Sequence, residues 1–134
     1  MAIQLDTTLR NNMLDEITTR AGASAKLRIY AGTPPASAGA ALSGNTLLAD
    51  LTCNATFAPA ASGGQLTLNA ISSDTSADNT GTTSFFRIWD SGVSVSVLQG
   101  TVGTSGSDLN LNSVAISAGA TVAVTSFVLT MGGA

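Results

Sequence analysis

Along most of this chain apolar and polar positions alternate with the two-residue period of a β-strand, and one stretch near the N-terminus has the period of a helix. In that stretch Leu9, Met13 and Ile17 recur at four-residue spacing, with Leu5 and Leu14 on the flanks. The opposite face carries Arg10, Asn11, Asp15, Glu16 and Thr18. Asp6 is placed to cap the first turn and Gly22 to end the last, so the pattern predicts a helix from about Thr7 to Arg20. Thr18 and Thr19 are weak helix formers, so the helix is expected to depend on what its Leu9–Met13–Ile17 stripe packs against.

The remainder reads as strands. Lys26 to Ala31 alternates, with Leu27 and Ile29 on one side and Arg28 and Tyr30 on the other. Pro34 and Pro35, which cannot donate to a ladder, stop it. Residues 36–45 are small and turn-prone and are expected to form an exposed loop. Further strands are predicted near Thr46–Cys53, Gln65–Ile71, Thr83–Trp89, Val93–Gln99, Asp108–Ile116 and Thr121–Met131. Asp90-Ser91-Gly92 is a hairpin loop between the Phe85–Trp89 run and the Val93/Val95/Val97 run, with Ser94 and Ser96 facing outward. Ser117 to Ala120 separates the last two runs in the same manner. The last run is apolar on both faces, with Val122, Val124 and Val128 against Ala123, Phe127, Leu129 and Met131. Such a strand is expected to be covered twice, by the helix stripe or by another subunit. One helix followed by about seven short strands predicts a mainly β fold, an antiparallel β-sandwich or jelly roll. Residues 1–22 form an arm and helix and 23–134 the sandwich, within one structural domain.

Composition then removes most kinds of chemistry. The chain has no histidine, one cysteine and 10% charged residues. General bases, metal sites and phosphate clamps draw on the missing residue types, so no catalytic, cofactor-binding or metal-ligating residue is assigned and an enzyme is not expected. The net charge is −3, and the five basic residues, Arg10, Arg20, Lys26, Arg28 and Arg87, are scattered, which argues against nucleic acid as a partner. Cys53, between apolar and small neighbours, reads as a buried thiol without an activating base, and a free cysteine fits synthesis in a reducing cytoplasm. The N-terminus lacks the pattern of a signal peptide. The most apolar stretch, Ala120–Met131, is interrupted by threonines and falls short of the ~20 residues of a membrane span.

Three candidate surfaces remain. Asp74 and Asp78, in the polar segment Ser72–Gly81, have the oxygen chemistry of a calcium site but not the spacing of an EF-hand. A solvated loop built from Asp and Asn turns is the plainer reading. Asp108-Leu109-Asn110-Leu111-Asn112 places the amides of Asn110 and Asn112 on one strand face, where they could read a sugar or a partner's backbone, or simply face solvent. The carboxylates Asp15, Glu16, Asp50, Asp74, Asp78, Asp90 and Asp108 fall in turns or on the outward side of the helix, where a facing glycosidase pair is not expected. Ser24-Ala25-Lys26 lacks the Ser-x-x-Lys spacing of a hydrolase, and Gly103 to Gly106 lacks the rest of a phosphate loop. The surface, paved with Ala, Gly, Ser, Thr and Asn, fits a protein packed into a larger assembly.

Several segments resemble a family of small virion structural proteins of tailed bacteriophages and prophages. They are Thr8-Leu9-Arg10-Asn11; Leu27 through Pro35; Ile71 through Asp78 with Gly81-Thr82; Phe86-Arg87-Ile88; and above all Gln99 through Asn112, continuing through Ile116, Ala118-Gly119 and Val124–Phe127 to Leu129-Thr130-Met131. The resemblance implies a structural component of the particle with no catalytic residue to carry over. Together with small size, strand content and low charge it implies a capsid decoration (cement) protein. Its partner would be the major capsid protein or another virion protein, and it would form a homo-oligomer, plausibly a trimer at a lattice symmetry point. A neck, tail or baseplate component and a host- or glycan-binding module are the alternatives. The expected location is the virion, after synthesis in the bacterial cytoplasm, with neither nucleic acid nor membrane as partner.

Overall fold

A computed structural model describes residues 2–133. Its helix α1 spans Thr7–Ala21, one residue beyond the predicted end. The Asp6 carboxylate accepts from the Thr8 N–H at 2.9 Å. Gly22, at φ +70°, ends the helix by donating its N–H to the Thr18 carbonyl. Caps of this kind satisfy N–H and C=O groups that the helix itself leaves without partners.

The face of α1 that meets the protein is not the predicted one. Leu9 and Met13 are 46% and 41% exposed, whereas Arg10, Leu14 and Ala21 are buried and Ile17 is half-buried. The reason is the irregular backbone beneath the helix. The Gly64 N–H donates to Asn11 Oδ1 and the Ala61 N–H to Asp15 Oδ1, at 2.9 and 2.8 Å. Arg10 donates to the Met131 carbonyl at 3.5 Å and to the Thr7 hydroxyl at 3.3 Å. Buried main-chain groups of a loop must find partners, so polar side chains are drawn to the inner face and part of the apolar stripe is turned outward.

Ten short strands follow among the described residues: β1 (Lys26–Ala31), β2 (Thr46–Thr52), β3 (Gln65–Thr67), β4 (Gly81–Thr82), β5 (Phe85–Trp89), β6 (Ser96–Gly103), β7 (Leu109–Leu111), β8 (Ala115–Ile116), β9 (Val124–Ser126) and β10 (Val128–Thr130). Six of them form one sheet in the order β2-β1-β5-β6-β7-β9, and β10–β3 and β4–β8 are two-stranded ribbons. The fold is therefore mainly β with one N-terminal helix, as the alternation predicts. Two expectations need correction. The sheet is mixed, because β6 and β7 run parallel with Val102 opposite Leu109 and Gly103 opposite Asn110. The two long C-terminal runs are each broken, into β7/β8 and β9/β10. The second break falls at Phe127, which is buried, between the last two strands.

The predicted β5–β6 hairpin is present, but its loop extends to residue 95. Trp89 pairs with Ser96 next to a register shift. Asp90 organises this longer loop, its carboxylate accepting from the N–H groups of Ser94 and Val95 at 2.8 and 3.1 Å and from the Ser94 hydroxyl at 3.0 Å. Those backbone bonds hold its carboxyl below the ordinary carboxylate range. The core lies on the face of the sheet that carries Leu27, Ile29, Phe86 and Ile88, closed by Leu14 of the helix and by Leu48, Leu66, Leu109 and Phe127.

Candidate binding surfaces

The opposite face of the sheet carries the charge. Arg28 stands opposite Asp50 on β2 and opposite Arg87 on β5, and Arg87 stands opposite Gln99 on β6. The row Asp50–Arg28–Arg87–Gln99 thus crosses four strands. Two guanidinium groups directly opposite each other repel. Asp50 answers one of them, in an ion pair with Arg28 at 3.0 Å. Among the described residues no carboxylate contacts Arg87. Its side chain is 1% exposed, and its partners are neutral. Nε and Nη2 donate to Gln99 Oε1 at 3.2 and 2.6 Å, Nη1 donates to the Ala40 carbonyl at 2.8 Å, and Nη2 donates to the Ser37 carbonyl at 3.2 Å. The guanidinium also lies 5.3 Å from the centre of the Trp89 ring. Burial pulls its pKa below the usual guanidinium value.

These contacts strap down the segment expected to be an exposed loop. Gln99 donates to the Pro35 carbonyl, the Ser96 hydroxyl to the Ala38 carbonyl and the Ser84 hydroxyl to the Gly32 carbonyl. Asn45 donates to the carbonyls of Ala31 and Thr33. Residues 36–45 remain at the surface, but side chains of the sheet hold their carbonyl groups. Beside the strap Tyr30 stacks on Phe85 at 5.1 Å, and the Trp89 indole donates to the Tyr30 hydroxyl at 3.1 Å.

The segment around Asp74 covers the edge of β2. The Asp74 carboxylate accepts from the Asp50 N–H through one oxygen and from the Ser76 N–H through the other, each at 2.9 Å. The Asp78 N–H donates to the Leu48 carbonyl and Asn79 to the Leu47 carbonyl. An edge strand exposes a row of unpaired groups, and this segment satisfies part of that row. Asp74 therefore acts here as a substitute strand partner. Asp78 is exposed, and partial burial together with the neighbouring Asp74 and Asp50 raises its carboxyl pKa. Among the described residues no group of three or more His, Cys, Asp or Glu side chains is arranged to hold a metal ion.

The amides of Asn110 on β7 and of Asn112 just after it are engaged within the chain. Asn112 accepts from the Ala123 N–H at 3.2 Å and Asn110 from the Ser107 N–H at 3.4 Å, while Leu109 and Leu111 are buried beneath them. Asp108 accepts from both the N–H and the hydroxyl of Thr101, which anchors the end of the 104–108 connection against β6. Cys53 is buried, and burial pushes its thiol pKa up to about 11 against the opposing pull of Lys26. A thiol at that value is not a nucleophile near neutrality.

Comparison with protein families, with curated proteins and with solved structures finds no match to this chain. Function is therefore read from its surface. Two features stand out that the alternation alone does not place: the Arg87 strap, and an apolar patch on the outward side of α1. Leu9 and Met13, four residues apart on the helix, face solvent there, and Ile3, in the segment before α1, is 86% exposed. The signal for the strap was present in the sequence as two long polar residues, Arg87 and Gln99, inside strand runs. What brings them together is the β5–β6 register, which a shifted hairpin had misplaced.

Proposed function

We propose that this chain is a structural protein of a bacteriophage particle, a capsid decoration protein that stabilises the head shell by surface contact. The observation that carries the proposal is the outward side of α1. Helices of a free-standing protein turn their large apolar residues to the core. Here Leu9 and Met13 face solvent while Arg10, Asn11 and Asp15 hold the protein's own backbone. Apolar area kept outside in this way favours the assembled state when it is covered. The low charge of the chain and its resemblance to small virion proteins support the same reading. In it the sheet, its two ribbons and the helix make up a β-sandwich seated on the major capsid protein, in copies that associate as trimers. The protein makes and breaks no covalent bond.

Leu9→Glu combined with Met13→Glu tests this. Both positions are exposed, so stability is expected to change by no more than about 0.5 kcal/mol for each substitution. Binding to particles that lack the protein is expected to fall at least tenfold, as roughly 1.4 kcal/mol per decade requires. A double variant that folds and docks as well as the wild type removes the α1 patch from the contact.

A further inference from the structure

An open pocket of about 350 Å³ lies beside the Arg87 strap, lined among others by Arg20, Ala40, Arg87, Trp89, Ser94 and Ser96. We propose that this pocket is a binding site for a carboxylate group. Two guanidinium groups border it. Arg20, at the C-terminal end of α1, is anchored by Nε to the Ser96 carbonyl at 3.0 Å, and among the described residues its terminal nitrogens make no hydrogen bond. Arg87 is buried on the other side with neutral hydrogen-bond acceptors and, among the described residues, no carboxylate. Burying a cation without a counter-charge is costly, and a nearby anion offsets that cost.

Charge selects the ligand. Asp90 at the adjoining hairpin contributes one negative charge, and its oxygens are occupied by Ser94 and Val95. Two arginines against one aspartate leave one positive charge, which matches a monoanion. A carboxylate is planar and accepts two parallel bonds from the terminal nitrogens of an arginine, here those of Arg20. The pocket has neither a helix N-terminus nor a glycine-rich cradle to favour a phosphate. The proposal stands independently of the virion reading.

Trp89, the single tryptophan of the chain, lines the pocket and reports on it. Titrating the protein with sodium acetate at constant ionic strength is expected to give a saturable change in its fluorescence. Backbone amide shifts at Gly39–Ala41 follow the same titration should the indole prove silent. Arg20→Gln, at an exposed position, is expected to weaken binding about tenfold, in line with loss of one charge-assisted pair. A second titration uses acetyl-Ala-Glu-Ala-amide. Tighter binding than acetate marks an acidic side chain of a polypeptide as the source, and equal or weaker binding marks a small free acid. The absence of saturation by either probe overturns the proposal. So does saturation by inorganic phosphate alone, or an Arg20→Gln variant that binds acetate like the wild type.

Discussion

Arg87→Ala is expected to cost about 3–5 kcal/mol of stability, from the acceptors it leaves without a donor and the volume it vacates. The loss has two sources. The Ala40 carbonyl and the amide oxygen of Gln99 lose their Arg87 donor, while the Ser37 carbonyl keeps the Ala40 N–H. Each group left buried and unpaired costs about 1–3 kcal/mol. The volume of a fully buried side chain is left empty beside Trp89. Relief of the Arg28–Arg87 repulsion, and of the cost of burying a cation without a counter-charge, offsets part of it. Against a typical total of about 5–15 kcal/mol this is a large fraction. Urea denaturation measures it, and limited proteolysis locates it, since cleavage within residues 36–45 should accelerate once the strap is cut. Arg87→Ala with unchanged stability and unchanged proteolysis would mean that the loop is held by something else.

Phe86→Ala is expected to cost about 3–5 kcal/mol as well, for a different reason, since truncation leaves a cavity that the surroundings cannot close. Phe86 is 1% exposed and meets Phe127 edge-on at 5.3 Å between ring centres. It stands opposite Ile29 on β1 and Gly100 on β6. A Cβ on Gly100 would come within 2.8 Å of the Phe86 ring and 2.9 Å of an Asp108 carboxylate oxygen. The ring therefore occupies space that only a glycine leaves free. The strands on both sides are held by hydrogen bonds, so neither can collapse into the void. Thermal or urea unfolding reads the cost, and a change below about 1 kcal/mol would contradict such a rigid site.

How much of this was legible in the sequence depends on the range of the interaction. The cap at Asp6, the stop at Gly22 and the strand Lys26–Ala31 are local, set by residues within a turn or by period-two alternation, and they were read almost to the residue. The inner face of α1 was not. Which side of a helix is buried depends on what it lands on, and here it lands on the backbone of Ala61 and Gly64, which lie some fifty residues away. The parallel β6–β7 pair was hidden for a related reason. Alternation fixes which face a side chain takes, not which strand runs beside it. Asp74 and Asn112 were recognised as polar positions with spare oxygens, but their hydrogen-bond partners, Asp50 and Ala123, come from other strands or segments. Arg87 is the plainest case. A lone arginine inside Phe85–Trp89 reads as an exposed strand residue until the Gln99 register and the loop carbonyls are known.

The proposal that the chain works as part of a phage head is tested most directly by counting its copies in purified particles of the phage or prophage that encodes it, by quantitative mass spectrometry against the major capsid protein. A copy number close to that of the capsid subunit is the predicted result. A number that would fill only a single ring, or absence from the mature particle, would contradict it.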